Sequence, residues 1–177
     1  MRVTVRGMLW LMVGLSWAVP VLAGVSGDEP GREVPTQGND HLQSPGSPHP
    51  PYQSVPPTSG PHVPWLAPWG MHRIPVLWEV QVHNLEDGGV IIHYRCDRPC
   101  PDTVAGLERF VVEYPTQVLV TPEPRLPTAF ALTAWGRIAT METWDDGVVR
   151  RFIEAYRGQD HHPRSEPEGA SEGRPEP

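Results

Sequence analysis

The alternation of apolar and polar residues through the middle of the chain predicts a pair of β-strands. Residues 74–83 have the period of a half-buried strand, with apolar side chains at every second position: Val76, Trp78, Val80 and Val82. Residues 84–89 are rich in Asn, Asp and Gly, which tolerate the backbone angles of turns. The β-branched run at 90–94 predicts a second strand, so the pattern indicates an antiparallel hairpin.

The second half of the domain alternates between helical and extended patterns. Residues 102–112 follow Pro101 and predict a helix, with an apolar stripe formed by Val104, Leu107, Phe110 and Val111. Further strands are predicted at 116–121, 129–135 and 138–143. Residues 148–157 predict a second helix, which Asp145 or Asp146 can cap. The fold class is therefore α+β, a small and mostly antiparallel sheet with two helices, flanked by disordered segments.

The N-terminus carries the pattern of an export signal. Arg2 and Arg6 precede an apolar run at residues 8–22, and the run ends in Val-Leu-Ala before Gly24. This predicts a cleaved signal peptide over residues 1–23, because the run is short for a membrane span of about 20 residues. The alternative is a retained anchor that tethers the protein through residues 8–22. Either way we expect an exported protein that is periplasmic, in the cell envelope or secreted.

Two further segments lack the apolar periodicity of a packed domain. Residues 24–51 are rich in Gly, Pro, Ser and Gln and predict a flexible linker. Residues 159–177 are acidic and proline-rich and predict a disordered tail, where His161 and His162 are expected to be solvated, with weak metal binding as the alternative. The packed α+β domain is expected over residues 52–158, a common domain size.

Composition narrows the range of partners. The chain contains 23 prolines and 17 glycines, which is consistent with disordered segments beside one domain. The formal charge is −7, and all basic residues are arginines with no basic cluster. This distribution argues against nucleic acid as a partner, and it leaves the protein partners undefined.

The two cysteines, Cys96 and Cys100, are expected to form a disulfide, because export exposes them to an oxidising compartment. They lie between a predicted strand and a predicted helix start, where a thiolate is stabilised. Thiol–disulfide exchange at Cys96 and Cys100 is therefore an alternative to a static cross-link.

Five motifs resemble a bacterial family of unknown function, domain of unknown function 3105, over about residues 38–160. They are Gly38-Asn39-Asp40-His41, Pro56-Pro57-Thr58-Ser59-Gly60-Pro61-His62, His83-Asn84-Leu85-Glu86-Asp87-Gly88-Gly89, Leu132-Thr133-Ala134-Trp135-Gly136-Arg137 and Phe152-Ile153-Glu154-Ala155-Tyr156-Arg157. Members typically have an N-terminal signal or anchor, and the resemblance implies no activity. The family commonly has a second histidine after the glutamate, where this chain has Asp87, so a site built on that histidine would need other ligands here.

The histidines in these motifs suggest a transition-metal site. His62 lies in a rigid proline loop that can approach His83, and these two are the predicted central ligands. The secondary candidates are His41, Met71, His72, Glu86 and Asp87. Copper is preferred over zinc, because the compartment is extracytoplasmic and Met71 offers a thioether.

Three other interpretations remain open at the level of the sequence. His62 and His83 can be structural histidines that hold a loop to a turn, in an envelope domain with one disulfide and no metal. Ser59 or Thr58, with His62 or His83 and Glu86, offers the residue types of a catalytic triad, but no nucleophile motif accompanies them, so a binding role is preferred to catalysis. His93 is expected to be a packed strand residue.

Overall fold

The computed structural model describes residues 29–163, and the export signal predicted at residues 1–23 lies outside the described residues. The elements in chain order are β1 (Arg32–Glu33), β2 (Gly70–Met71), α1 (Trp78–Glu86), β3 (Val90–Tyr94), α2 (Pro101–Glu113), β4 (Val118–Pro122), β5 (Phe130–Ala134), β6 (Arg137–Met141) and α3 (Asp146–Tyr156). The two helices predicted after the cysteines and the strands predicted from residue 90 onward are confirmed, with small shifts at their ends.

The six strands form one mixed sheet in the order β1-β6-β5-β3-β4-β2. Strands β2, β4 and β3 run parallel to one another, while β3-β5, β5-β6 and β1-β6 are antiparallel pairs. The α+β class is therefore confirmed, but the sheet is not purely antiparallel. Parallel pairing requires crossover connections, and α1 and α2 provide them between β2, β3 and β4.

Helices cover both faces of this sheet. Alternate residues of the central strands, such as Val90 and Ile92, pack with Phe110 of α2 and Phe152 of α3 on one face. The intervening Ile91 packs on the other face with Leu85 of α1. The central strands are thus buried on both sides, which explains why they read as continuous β-branched runs.

The predicted strand at residues 74–83 is wrong, because Trp78–Glu86 is helix α1 and no hairpin joins it to β3. The buried face of α1 is mostly polar and includes Gln81 and Asn84, so the apolar residues did not show a helical period. The Asn84 side chain accepts from the backbone N–H of Ala67 and donates to its C=O, both at 2.9 Å. Polar contacts to the backbone therefore hold α1 in place where a hydrophobic stripe would be expected.

The segment predicted as a flexible linker, residues 24–51, packs on the domain in its described part. β1 pairs with β6, and Val34 is buried. Residues 38–42 then run beside the proline-rich loop, where the N–H of His62 donates to the C=O of Asp40 at 2.9 Å and the N–H of Leu42 donates to the C=O of His62 at 2.6 Å. The backbone of this segment is thus satisfied by hydrogen bonds that its composition does not reveal.

The first residues of the predicted tail also contact the domain. The N–H of Gly158 donates to the C=O of Gly88 at 2.8 Å, and the N–H of His161 donates to the C=O of Glu86 at 2.9 Å. Gly88 has a φ of 76°, and a Cβ there would lie 2.7 Å from the backbone nitrogen of Gln159. Glycine at this position therefore allows the chain after α3 to reach the end of α1.

Candidate metal centre

His62 is fully buried and points one ring nitrogen at the candidate centre. Its Nδ1 donates to the C=O of Gly60 at 2.8 Å, because a carbonyl can only accept. Tyr52 donates from its hydroxyl to the C=O of Pro61 at 2.6 Å and fixes the same loop. Nε2 is thereby left free to face the carboxylate of Glu86.

Glu86 is also buried, with 1% of its side chain exposed, and it lies between two partners. Asn39 donates to Oε1 at 2.9 Å, and Nε2 of His62 lies 2.9 Å from Oε2. If His62 keeps its proton on Nδ1 alone, two lone pairs face each other across that short distance. The contact therefore requires a proton or a metal cation between the two atoms.

His83 extends from α1. Glu86 and Asp87 follow it by three and four residues, so they lie on the same side of the helix. Its Nδ1 is buried and has no hydrogen-bond partner in the described part of the chain. Burial lowers the pKa of His83 from its ordinary value, and the nearby Asp87 carboxylate opposes this only in part. The ring is therefore neutral over a wider pH range, which is the form that binds metals.

His41 approaches from the N-terminal segment and remains exposed. It forms an isolated parallel bridge with His62 through the backbone. Its ring centroid lies 5.0 Å from that of His62 and 5.6 Å from that of His83. The hydrogen bonds that hold residues 38–42 beside the proline loop thus bring a third imidazole to the same point.

Four residues together form a group with metal-ligand chemistry: His41, His62, His83 and Glu86. One donor atom from each lies within 4.8 Å of all the others. Ligands about 2.1 Å from a tetrahedral ion are roughly 3.4 Å apart, so small side-chain rotations would close the group. We call these four residues the primary cluster.

A second group shares His83 and adds Asp87 and His162. Nε2 of His162 lies 3.5 Å from Oδ1 of Asp87 and 3.3 Å from Oε2 of Glu86. A hydrogen bond to the Asp160 carboxylate raises the pKa of the exposed His162. His162 was predicted to be solvated, and its spacing of two residues from Asp160 is the only sequence signal that we find for its role. An imidazole therefore lies beside Asp87, but the segment after α3 supplies it and helix α1 does not.

Two other predicted ligands lie elsewhere. Met71 is in β2 and packs in the core under α2 and α3, on the sheet face opposite Leu85. Nε2 of His72 donates to the C=O of Pro68 at 2.7 Å. Neither belongs to the primary cluster or to the second group, although both are close to the other candidates in sequence.

Most of the remaining candidate residues have defined partners. Cys96 and Cys100 form a disulfide between β3 and the start of α2, with Cα atoms 6.1 Å apart. Ser59 accepts from the N–H of Gln37 at 3.0 Å, and among the described residues no hydrogen bond joins its hydroxyl or that of Thr58 to a histidine. His93 is fully buried and forms a hydrogen bond of 2.8 Å with Thr133, as expected for a packed strand residue.

The chain matches the model of a protein family of unknown function. The family model described as a protein of unknown function (DUF3105) matches residues 48–173, and the chain belongs to this family. The matched range includes every residue of the two groups except His41. No curated protein and no solved structure matches the chain. Within residues 29–163, no helix is long and apolar enough to cross a membrane.

Proposed function

We propose that this is an exported protein that binds a transition-metal ion at the primary cluster. The observation that carries the proposal is the convergence of three imidazoles and one carboxylate, drawn from separate parts of the chain. Two of these donors, His62 and Glu86, are buried and face each other at 2.9 Å, a distance that requires a positively charged species, a proton or a metal cation, between them. A bound cation would supply that charge and would also use the unpartnered Nδ1 of His83.

Copper is the preferred ion and zinc is the second choice. The thioether of Met71, a ligand that would favour reduced copper, lies outside the site, because Met71 packs in the core on the other face of the sheet. Imidazole and carboxylate donors suit both Cu²⁺ and Zn²⁺, and at a given site Cu²⁺ binds more tightly than Zn²⁺. The proposal is therefore a Cu²⁺ site in an extracytoplasmic compartment.

Titration of the chelator-treated protein with Cu²⁺ and Zn²⁺ tests this function. We expect the wild type to bind with a dissociation constant below about 1 μM and His62→Gln to weaken binding by more than about 100-fold, because loss of a ligand exceeds the 10–100-fold typical of a supporting residue. His72→Gln is the matched control, since it removes an imidazole that lies outside both groups. Wild-type binding weaker than micromolar, or equal losses in the two variants, would contradict the proposal and favour structural histidines.

Thiol–disulfide exchange is a second candidate function, favoured by the position of the disulfide in the fold. Cys100 precedes α2 directly, and the half-buried Cys96–Cys100 pair lies where parallel β3 leads into that helix. The helix N-terminus lowers the pKa of a thiolate and stabilises the reduced pair. In the exchange, a dithiol of a partner protein would be oxidised to a disulfide while Cys96 and Cys100 become two thiols.

Equilibration of the protein with glutathione buffers separates exchange from a static cross-link. If the pair exchanges, the Cys96–Cys100 disulfide should be half reduced at a potential between about −120 and −270 mV, the range of thiol–disulfide oxidoreductases. A midpoint below about −300 mV would identify a structural disulfide and exclude this function. Thiol alkylation and mass spectrometry measure the reduced fraction, with the Cys96→Ser, Cys100→Ser double variant as the blank.

A further inference from the structure

We propose that a second transition-metal ion binds beside the first, held by His83, Asp87 and His162. This inference rests on the proposed metal-binding function and adds a separate site to it. One donor atom from each of the three residues lies within 4.8 Å of the other two. Oδ1 of Asp87 is central, since it lies 3.9 Å from Nε2 of His83 and 3.5 Å from Nε2 of His162.

The hydrogen bonds of His162 orient it as a ligand. Its Nδ1 donates to the Asp160 carboxylate at 2.6 Å, and its backbone N–H donates to the same oxygen at 3.0 Å. A histidine that donates one ring nitrogen to a carboxylate presents the other to a metal, and the carboxylate makes it a stronger base. Nε2 of His162 accordingly faces the carboxylates of Glu86 and Asp87.

His83 connects the two sites through its two ring nitrogens. Its Nδ1 lies 3.9 Å from Oε2 of Glu86, in the primary cluster, and its Nε2 lies 3.9 Å from Oδ1 of Asp87. One ring can therefore serve both ions, one through each nitrogen. The second ion takes the place of the remaining ring N–H proton, which is released to solvent.

The chain after α3 is held in place for this role before any ion binds. The N–H of His161 donates to the C=O of Glu86 at 2.9 Å, and the His161 ring stacks on Trp135 with centroids 5.8 Å apart. The next residue, His162, is thereby fixed against the end of α1. Because backbone contacts already fix the position of His162, ion binding costs less conformational entropy.

The number of ions bound per chain tests this proposal. The full chain is equilibrated with excess Cu²⁺, desalted and analysed by elemental analysis. We expect two ions in the wild type and one in His162→Gln, because the variant lacks one of the three ligands of the second site. His49→Gln is the control and should retain two ions, since this half-buried histidine belongs to neither group.

The outcomes separate this inference from the function on which it rests. One ion in the wild type, or two ions retained in His162→Gln, overturns the second site and leaves the primary cluster standing. No bound ion in the wild type overturns both. One ion in His162→Gln together with two in the wild type and in His49→Gln supports the second site.

Discussion

Replacing Glu86 with alanine should lower the free energy of unfolding of the metal-free protein by about 3–5 kcal/mol. Glu86 and His62 are both buried, and the contact of 2.9 Å between Oε2 and Nε2 requires a shared proton when no metal is bound. Alanine removes the negative partner and leaves a buried imidazole and the Asn39 amide without their acceptor. Chemical denaturation in the presence of a chelator measures the loss.

Glu86→Gln is the matched control for this prediction. Its amide oxygen can accept from Asn39, and its amide N–H can donate to Nε2 of a neutral His62, so both hydrogen bonds are kept. We expect its stability to remain within about 1 kcal/mol of the wild type, although both variants lose the carboxylate ligand and bind metal more weakly. Equal stability losses below about 1 kcal/mol in the two variants would show that His62 and Glu86 do not act as a charged pair.

Acidification should destabilise the protein through His93. Burial lowers the pKa of His93 from 6.5 to about 3, and the nearby Glu123 carboxylate opposes this shift only in part. Below pH 6.5 the unfolded chain binds a proton that the folded protein does not, so stability falls as the pH is lowered towards 3. A difference of about 3.5 units corresponds to a loss of about 5 kcal/mol over that range, of which about 2 kcal/mol falls between pH 6.5 and pH 5.

His93→Gln isolates this contribution, because other histidines and carboxylates also titrate over the range. Glutamine can keep a hydrogen bond to the Thr133 hydroxyl, and it has no group that titrates. The variant should therefore lose less stability than the wild type between pH 6.5 and pH 5, by about 2 kcal/mol. Parallel pH profiles in urea denaturation would contradict the expected role of His93.

The parts of the fold that follow a period in sequence were predictable. Helices α2 and α3 bury apolar residues at helical spacing, and strand β3 is a continuous β-branched run, so all three stand out from the surrounding chain. Helix α1 could not be recognised in this way, because its buried positions include Gln81 and Asn84, which bind the backbone of Val76 and Ala67. Polar anchoring to a distant loop leaves no periodic apolar signal.

Some residues of the candidate site were likewise predictable from the sequence and others were not. The meeting of His62, His83 and Glu86 was predictable, because a stiff proline loop and a conspicuous His-Asn-Leu-Glu segment offered donors close in sequence. The role of His162 was not predictable, since its segment is polar and is held by backbone hydrogen bonds from Gly158 and His161. Proximity in sequence was misleading for Met71, whose strand directs the side chain to the far face of the sheet.

The donors of the two groups come from both ends of the described chain. His41 lies before the domain proper and His162 lies after its last helix, while His62 and His83 lie between them. Ions bound at the two groups would close loops over residues 41–86 and 83–162, and the entropic benefit of a cross-link grows with the length of the loop it closes. Metal binding would then oppose opening of the chain ends. A protease that cleaves frayed ends would therefore digest the metal-free protein faster than the metal-bound protein.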